Sequence, residues 1–164
     1  MSSSRIQPPR PRDPARLIRR YLRSGTRSRA EVGAYLERQG VSSAESVRLL
    51  GVLQRAGAVD DRACAKLWVQ RLVDEGYAWS SIRERLREKQ LSERLIDEQL
   101  NYARRQHADD GRVHALAQAR LSRLPVSDPR RRARLARWLA SRGFDSDLID
   151  QVLAELIPVP VSHD

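Results

Sequence analysis

The residues best equipped for chemistry in this sequence are arginines. Arg16, Arg19, Arg20 and Arg23 recur at i, i+3, i+4 and i+7, which places four guanidinium groups on one helix face, opposite Leu17, Ile18, Tyr21 and Leu22. Arg27 extends this run. A second group comprises Arg130, Arg131, Arg134 and Arg137. Arg130, Arg134 and Arg137 line one face, Leu135 and Leu139 point elsewhere, and Trp138 stands at the boundary. A guanidinium forks onto phosphate or carboxylate, and a neighbouring indole can stack on a base or a guanidinium. Any one of these arginines reads as an ordinary solvated helix residue. The clusters read jointly as binding surfaces, because like charges one turn apart repel by a few tenths of a kcal/mol per pair.

Other reactive side chains offer less. Asp60-Asp61 could form an acid/base or metal pair, but an aspartate ahead of a helical segment reads first as an N-cap, and Asp109-Asp110 stands at the same place further on. His107, His114 and His163 lack ligand spacing, and there is no phosphate-binding glycine loop or nucleophile–base signature. The expectation is a binding protein rather than an enzyme, with no catalytic residue, cofactor or metal. Cys64 is the sole cysteine, lies in an apolar helical pattern and reads as a small core residue in a reducing compartment. Trp68, flanked by Leu67 and Leu72, reads as core, whereas Trp79 falls at a helix start.

The charge is uneven. The formal total is +10, and 29 of the 31 basic residues are arginine, Lys66 and Lys89 being the exceptions. Met1–Arg29 and Arg112–Arg142 each carry +8, Ala30–Gly111 carries −1 and the remainder −5. Such a surplus suits a polyanion or an acidic protein face. No apolar run approaches the roughly eighteen residues of a membrane span, and no apolar signal-type segment follows Met1, so a cytoplasmic protein without membrane contact is expected.

The elements that must position these groups are helices. All eight prolines lie outside 15–124, so none interrupts that stretch. Asp13-Pro14 and Asp128-Pro129 pair an N-cap acceptor with proline at the first helical position. Ser28–Glu31, Ser42–Glu45 and Ser81–Glu84 have capping-box spacing, and Gly25, Gly40, Gly57, Gly76 and Gly143 fall where helices should stop. Nine helices are predicted, near Pro14–Ser24, Arg29–Gln39, Ala44–Ala56, Asp61–Glu75, Ser81–Lys89, Glu93–Gln106, Asp110–Leu124, Pro129–Arg142 and Ser146–Ile157.

They repeat at roughly fifty residues, within the range of helical arrays. Val32/Leu36/Gly40/Val41, Ile82/Leu86/Gln90/Leu91 and Leu135/Leu139/Gly143/Phe144 superimpose, with apolar residues at i and i+4, a turn at i+8 and an apolar residue at i+9. The predicted fold is all-α: three tandem three-helix repeats over 13–57, 58–107 and 108–157, stacked into an elongated, curved body. A basic arm over 1–12 and a tail over 158–164 flank them. Three short helices bury too little surface to be secure alone, hence the stacking.

Three segments carry a family resemblance. Arg27-Ser28-Arg29-Ala30-Glu31-Val32, with Leu36 and Gly40, is similar to the Ser-x-x-Glu-Leu opening helix of the RecX family. Ala56-Gly57-Ala58-Val59-Asp60-Asp61-Arg62-Ala63-Cys64-Ala65 resembles its Leu-Gly-Tyr-Ile-Asp-Asp-x-x-Phe-Ala signature. Arg134-Leu135-Ala136-Arg137-Trp138-Leu139-Ala140-Ser141-Arg142-Gly143-Phe144 resembles its Arg-x-Leu-x-Arg-Gly-Phe pattern. The chain departs from the family at Cys64, where Phe is usual, at Ala78-Trp79 in place of Gly-Pro, and at Gln90 in place of Gly. The resemblance implies a regulator of homologous recombination and the SOS response that binds the RecA nucleoprotein filament along its helical groove and inhibits its growth or activity. The expected protein is a monomer that contacts the RecA filament, and single- or double-stranded DNA, through the arginines and Trp138. The alternative is a general single- and double-stranded DNA-binding protein.

Overall fold

The structure is a computed structural model that describes residues 13–107 and 109–158. The expected arm over 1–12, the tail beyond Pro158 and the side chains of Asp109 and Asp110 lie outside the described residues. Within them every regular element is a helix: α1 Pro14–Arg23, α2 Arg29–Arg38, α3 Ser43–Arg55, α4 Asp61–Asp74, α5 Trp79–Glu88, α6 Glu93–Gln106, α7 Asp109–Leu121, α8 Arg131–Ser141 and α9 Ser146–Leu156.

Local chemistry sets most of the helix starts. The Asp13 carboxylate accepts from the Ala15 N–H, with Pro14 at the first helical position. Ser28 and Glu31 form both arms of a capping box, and Ser42 accepts from the Glu45 N–H. Asp60 accepts from the N–H groups of Arg62 and Ala63 at the head of α4. The starts of α3 and α7 fall one residue before the expected Ala44 and Asp110, and two others differ by two residues. Ser81 lies inside α5, which begins at Trp79 behind Ala78, an N-cap with no side-chain acceptor. α8 begins at Arg131, because Asp128 accepts from the Arg130 N–H and its carbonyl accepts from Arg131, closing a turn before the helix.

The repeated turn has a single physical cause. Gly40, Gln90 and Gly143 all have positive φ, at 84°, 55° and 84°. The chain reverses at each into a Schellman closure, in which Val41, Leu91 and Phe144 donate to the carbonyls of Leu36, Leu86 and Leu139 at 3.1, 3.4 and 3.3 Å. The apolar residue at i+9 is thus the one that must pack back on the helix it has just left.

The core gathers in three clusters. Ile18, Val32, Leu36, Val41, Leu50 and Val59 form the first, drawn from α1–α3 and the turn beyond. Ile82, Leu86, Leu91, Ile96 and Leu100 meet residues of α4 in the second. Leu135, Leu139, Ile149, Val152 and Leu153 meet residues of α7 in the third. The chain divides into two compact units, Met1–Cys64 and Ala65–Asp164, so the second and third clusters share a unit and the boundary falls inside α4.

Candidate nucleic-acid and protein interface

The two arginine groups have different surroundings. On α1, Ile18 is buried and Leu17, Tyr21 and Leu22 are partly covered, leaving Arg16, Arg19, Arg20 and Arg23 exposed together. These four and Asp13 line one shallow surface depression. The Asp13 carboxylate is occupied at the helix cap. Among the described residues none of the four arginines has a salt-bridge partner; Arg19 makes only a long 3.4 Å bond to its own helix at the Ala15 carbonyl. Arg27 is not part of this face. It is half-buried over the Tyr21 ring at 4.9 Å, donates to the Ser24 hydroxyl at 3.0 Å, and belongs with the Tyr21–Tyr35 stack at 4.1 Å.

The α8 group is divided. Arg130, Arg134 and Arg137 are exposed, but Arg134 pairs with Asp128 at 3.2 Å. Arg131 is turned inward toward the Leu121 carbonyl, with its Nε buried and unpaired. Trp138 packs against the third core cluster and has Arg120 and Arg142 over its ring, each at 5.6 Å, so it is not an open stacking platform.

Sequence reading missed the arginines that hold the second unit together. Arg112 donates to the carbonyls of Val73 and Tyr77, at 3.3 and 2.6 Å, closing the end of α4, and lies 4.7 Å over Trp79. Arg132 does the same for α9 through Leu153 and Ile157, at 2.8 and 2.7 Å. Arg142 lies over both Tyr77 and Trp138, and its carbonyl accepts from the Ala78 N–H at 2.9 Å. Each tryptophan faces two cations: Trp68 has Arg71 and Lys89, Trp79 has Arg104 and Arg112, and Trp138 has Arg120 and Arg142. Such contacts are worth about 0.5–2 kcal/mol each, depending on desolvation.

The Asp60-Asp61 pair is structural on both counts. Asp60 caps α4, while Asp61 accepts from the Arg29 N–H at 2.7 Å, tying the start of α4 to the start of α2. Cys64 is fully buried. No helix among the described residues is long and apolar enough to cross a membrane.

Residues 109–153 match the family model described as RecX, third three-helix domain. Along its length the chain is similar to Regulatory protein RecX of Chlorobium phaeobacteroides, with 32% identity over 140 residues covering 84% of this chain and 89% of that protein. It is also similar to Regulatory protein RecX of Mycobacterium marinum, with 31% identity over 157 residues covering 93% and 90%. Among solved structures, that of RecX from Lactobacillus salivarius superimposes with a TM-score of 0.63 at 19% identity, over 89% of this chain and 96% of the other.

Proposed function

The chain belongs to the RecX family, and from that premise we propose that it regulates homologous recombination and the SOS response by binding RecA nucleoprotein filaments, in the helical groove, and inhibiting their growth or activity. The observation that carries this reading is the extent of the relationship. Proteins named as regulatory align with 84% and 93% of the chain, so the kinship extends over most of the chain rather than one shared motif. The exposed arginines of α1 and α8 supply cationic contact points without committing the core. On this reading the protein works as a monomer in the cytoplasm and needs no cofactor.

Titrating the protein into a RecA ATPase assay on single-stranded DNA tests the proposal. ATP turnover should fall progressively as the regulator is added, and sedimentation with preformed filaments should carry it into the pellet. Unchanged turnover together with no co-sedimentation at physiological salt overturns it.

A further inference from the structure

We infer that a cleft in the second unit, between α5 and the start of α9, is a docking site for a second copy of this chain, whose Val126 loop enters it. The inference goes beyond the proposed function and does not rest on it.

The cleft has a volume of about 620 Å³ and lies wholly within Ala65–Asp164. Its walls are mainly apolar: Trp79 comes from the first turn of α5, Val113 from α7, Phe144 from the turn after α8 and Leu148 from α9. Arg112, which also lines it, is turned to the Val73 and Tyr77 carbonyls and to the Trp79 ring. Asp145 and Ser146 stand exposed at its rim. Val126 is the matching feature. It is 82% exposed, the most exposed large hydrophobic side chain among the described residues, and exposed prolines stand near it at Pro125 and Pro129. The loop that carries it is held by its own hydrogen bonds. The Asp128 N–H donates to the Pro125 carbonyl at 3.2 Å, and the Asp128 carboxylate accepts from the Arg130 N–H at 2.9 Å. A knob shaped in advance loses little conformational freedom when it docks.

Charge complementarity selects a second copy as the occupant. Arg123 and Arg130 are exposed on either side of Val126, within the stretch 112–142 that carries +8. Behind the rim of the cleft the sign reverses: Asp147 and Asp150 are exposed on α9, and 143–164 holds five acidic residues and no lysine or arginine. A basic knob and an acid-rimmed apolar cleft thus occur on one chain. The exposure of Val126 shows that it does not fill its own cleft, so the contact joins different patches of two copies. Copies of net charge +10 repel one another at long range. At physiological salt the Debye length is about 8 Å, which screens that repulsion more than it screens groups brought into contact. One loop in one cleft is smaller than the interfaces of about 1,200–2,000 Å² that hold stable complexes. Dilute protein therefore stays monomeric, and the contact forms as copies become concentrated.

Sedimentation velocity of the full chain at about 150 mM salt, from about 10 μM to about 1 mM protein, tests the contact. The weight-average sedimentation coefficient of the parent should rise with concentration. Val126→Asp puts a carboxylate into an apolar cleft and should weaken association about tenfold or more, even though it lowers the net charge and with it the repulsion between copies. Ser80→Trp, at an exposed position lining the cleft, should weaken it as much by filling the space. Where circular dichroism shows that Ser80→Trp has not folded, Ser146→Arg takes its place by setting a like charge against the basic loop. The two kinds of variant are then mixed. Val126→Asp copies keep an intact cleft and Ser80→Trp copies an intact knob, so the mixture should recover a dimer that neither forms alone. A parent coefficient that stays flat across the range overturns the inference. So does a rise that Val126→Asp leaves unchanged, or a mixture that recovers nothing. These measurements contain no recombinase, so they stand whatever the ATPase titration gives.

Discussion

At Gln90 the sequence departs from its own repeat, and the structure gives that departure an energy. The residue occupies the left-handed conformation that Gly40 and Gly143 adopt at the equivalent turns. A side chain in that region costs about 1–2 kcal/mol, while glycine loses about 0.4–1 kcal/mol more conformational entropy on folding. Gln90→Gly is therefore expected to raise stability by about 0.5–1 kcal/mol, read as a higher urea midpoint with an unchanged m-value. An unaltered or lower midpoint contradicts it. This position was legible in advance, because turn geometry is written in adjacent residues. The roles of Arg112 and Arg142 were not. The groups Arg112 holds lie 35 and 39 residues away, and nothing in its local pattern distinguishes a carbonyl-capping arginine from a solvated one.

Between elements, α5 and α6 are joined by a charge cluster on the surface. Arg83 meets Glu93 and Asp97 at 3.1 and 2.5 Å, and Arg87 meets Glu84 and Glu93 at 2.5 and 2.6 Å. The Arg87 guanidinium, with help from Arg83, holds the Glu93 carboxyl below the ordinary carboxylate range, while Glu93 and Glu84 hold Arg87 more firmly protonated than usual. A carboxyl that binds its proton less tightly in the folded state than in the unfolded state adds stability above its ordinary pKa. That contribution drains away as pH falls through the lowered folded value. Glu93→Gln should thus melt slightly below the parent at neutral pH, with the two melting curves converging as the pH drops below about 4. A gap that persists undiminished in acid would show that the glutamate acts by packing and not by charge. The cluster is exposed, so its effect is small beside that of the core. Helix existence was legible throughout from caps, glycine stops and periodicity. The two displaced starts, at α5 and α8, were not, because the Ser81–Glu84 spacing fits a capping box as well as it fits a helix interior, and Asp128 serves a turn instead of the helix.

For the whole chain, repetition foretold three helical clusters but not how they are grouped, because equivalent residues in different repeats meet different neighbours. Gly40 and Gly143 show the difference. Both have φ of 84° and both close the middle helix of a repeat. A Cβ at Gly40 would meet nothing within 4 Å, whereas one at Gly143 would collide with the Ser81 hydroxyl and approach the Ser81 Cβ at 3.0 Å. Gly143 is where the turn after α8 is pressed against the first turn of α5, beside the bond from Ala78 to the Arg142 carbonyl. Gly40→Ala then meets only the backbone penalty, a net cost of about 0.5–1 kcal/mol. Gly143→Ala adds overpacking, for a total of about 2–4 kcal/mol. Chemical denaturation of the two variants separates the contributions, since the residue type and backbone angle are held constant. Equal losses would mean that the second and third clusters are held together elsewhere. A markedly larger loss at Gly143 shows that this close approach adds to the hold that Arg112 and Arg142 have on the two clusters, and double substitution with Ser81→Gly should then recover part of the difference, although glycine inside α5 itself costs about 1 kcal/mol.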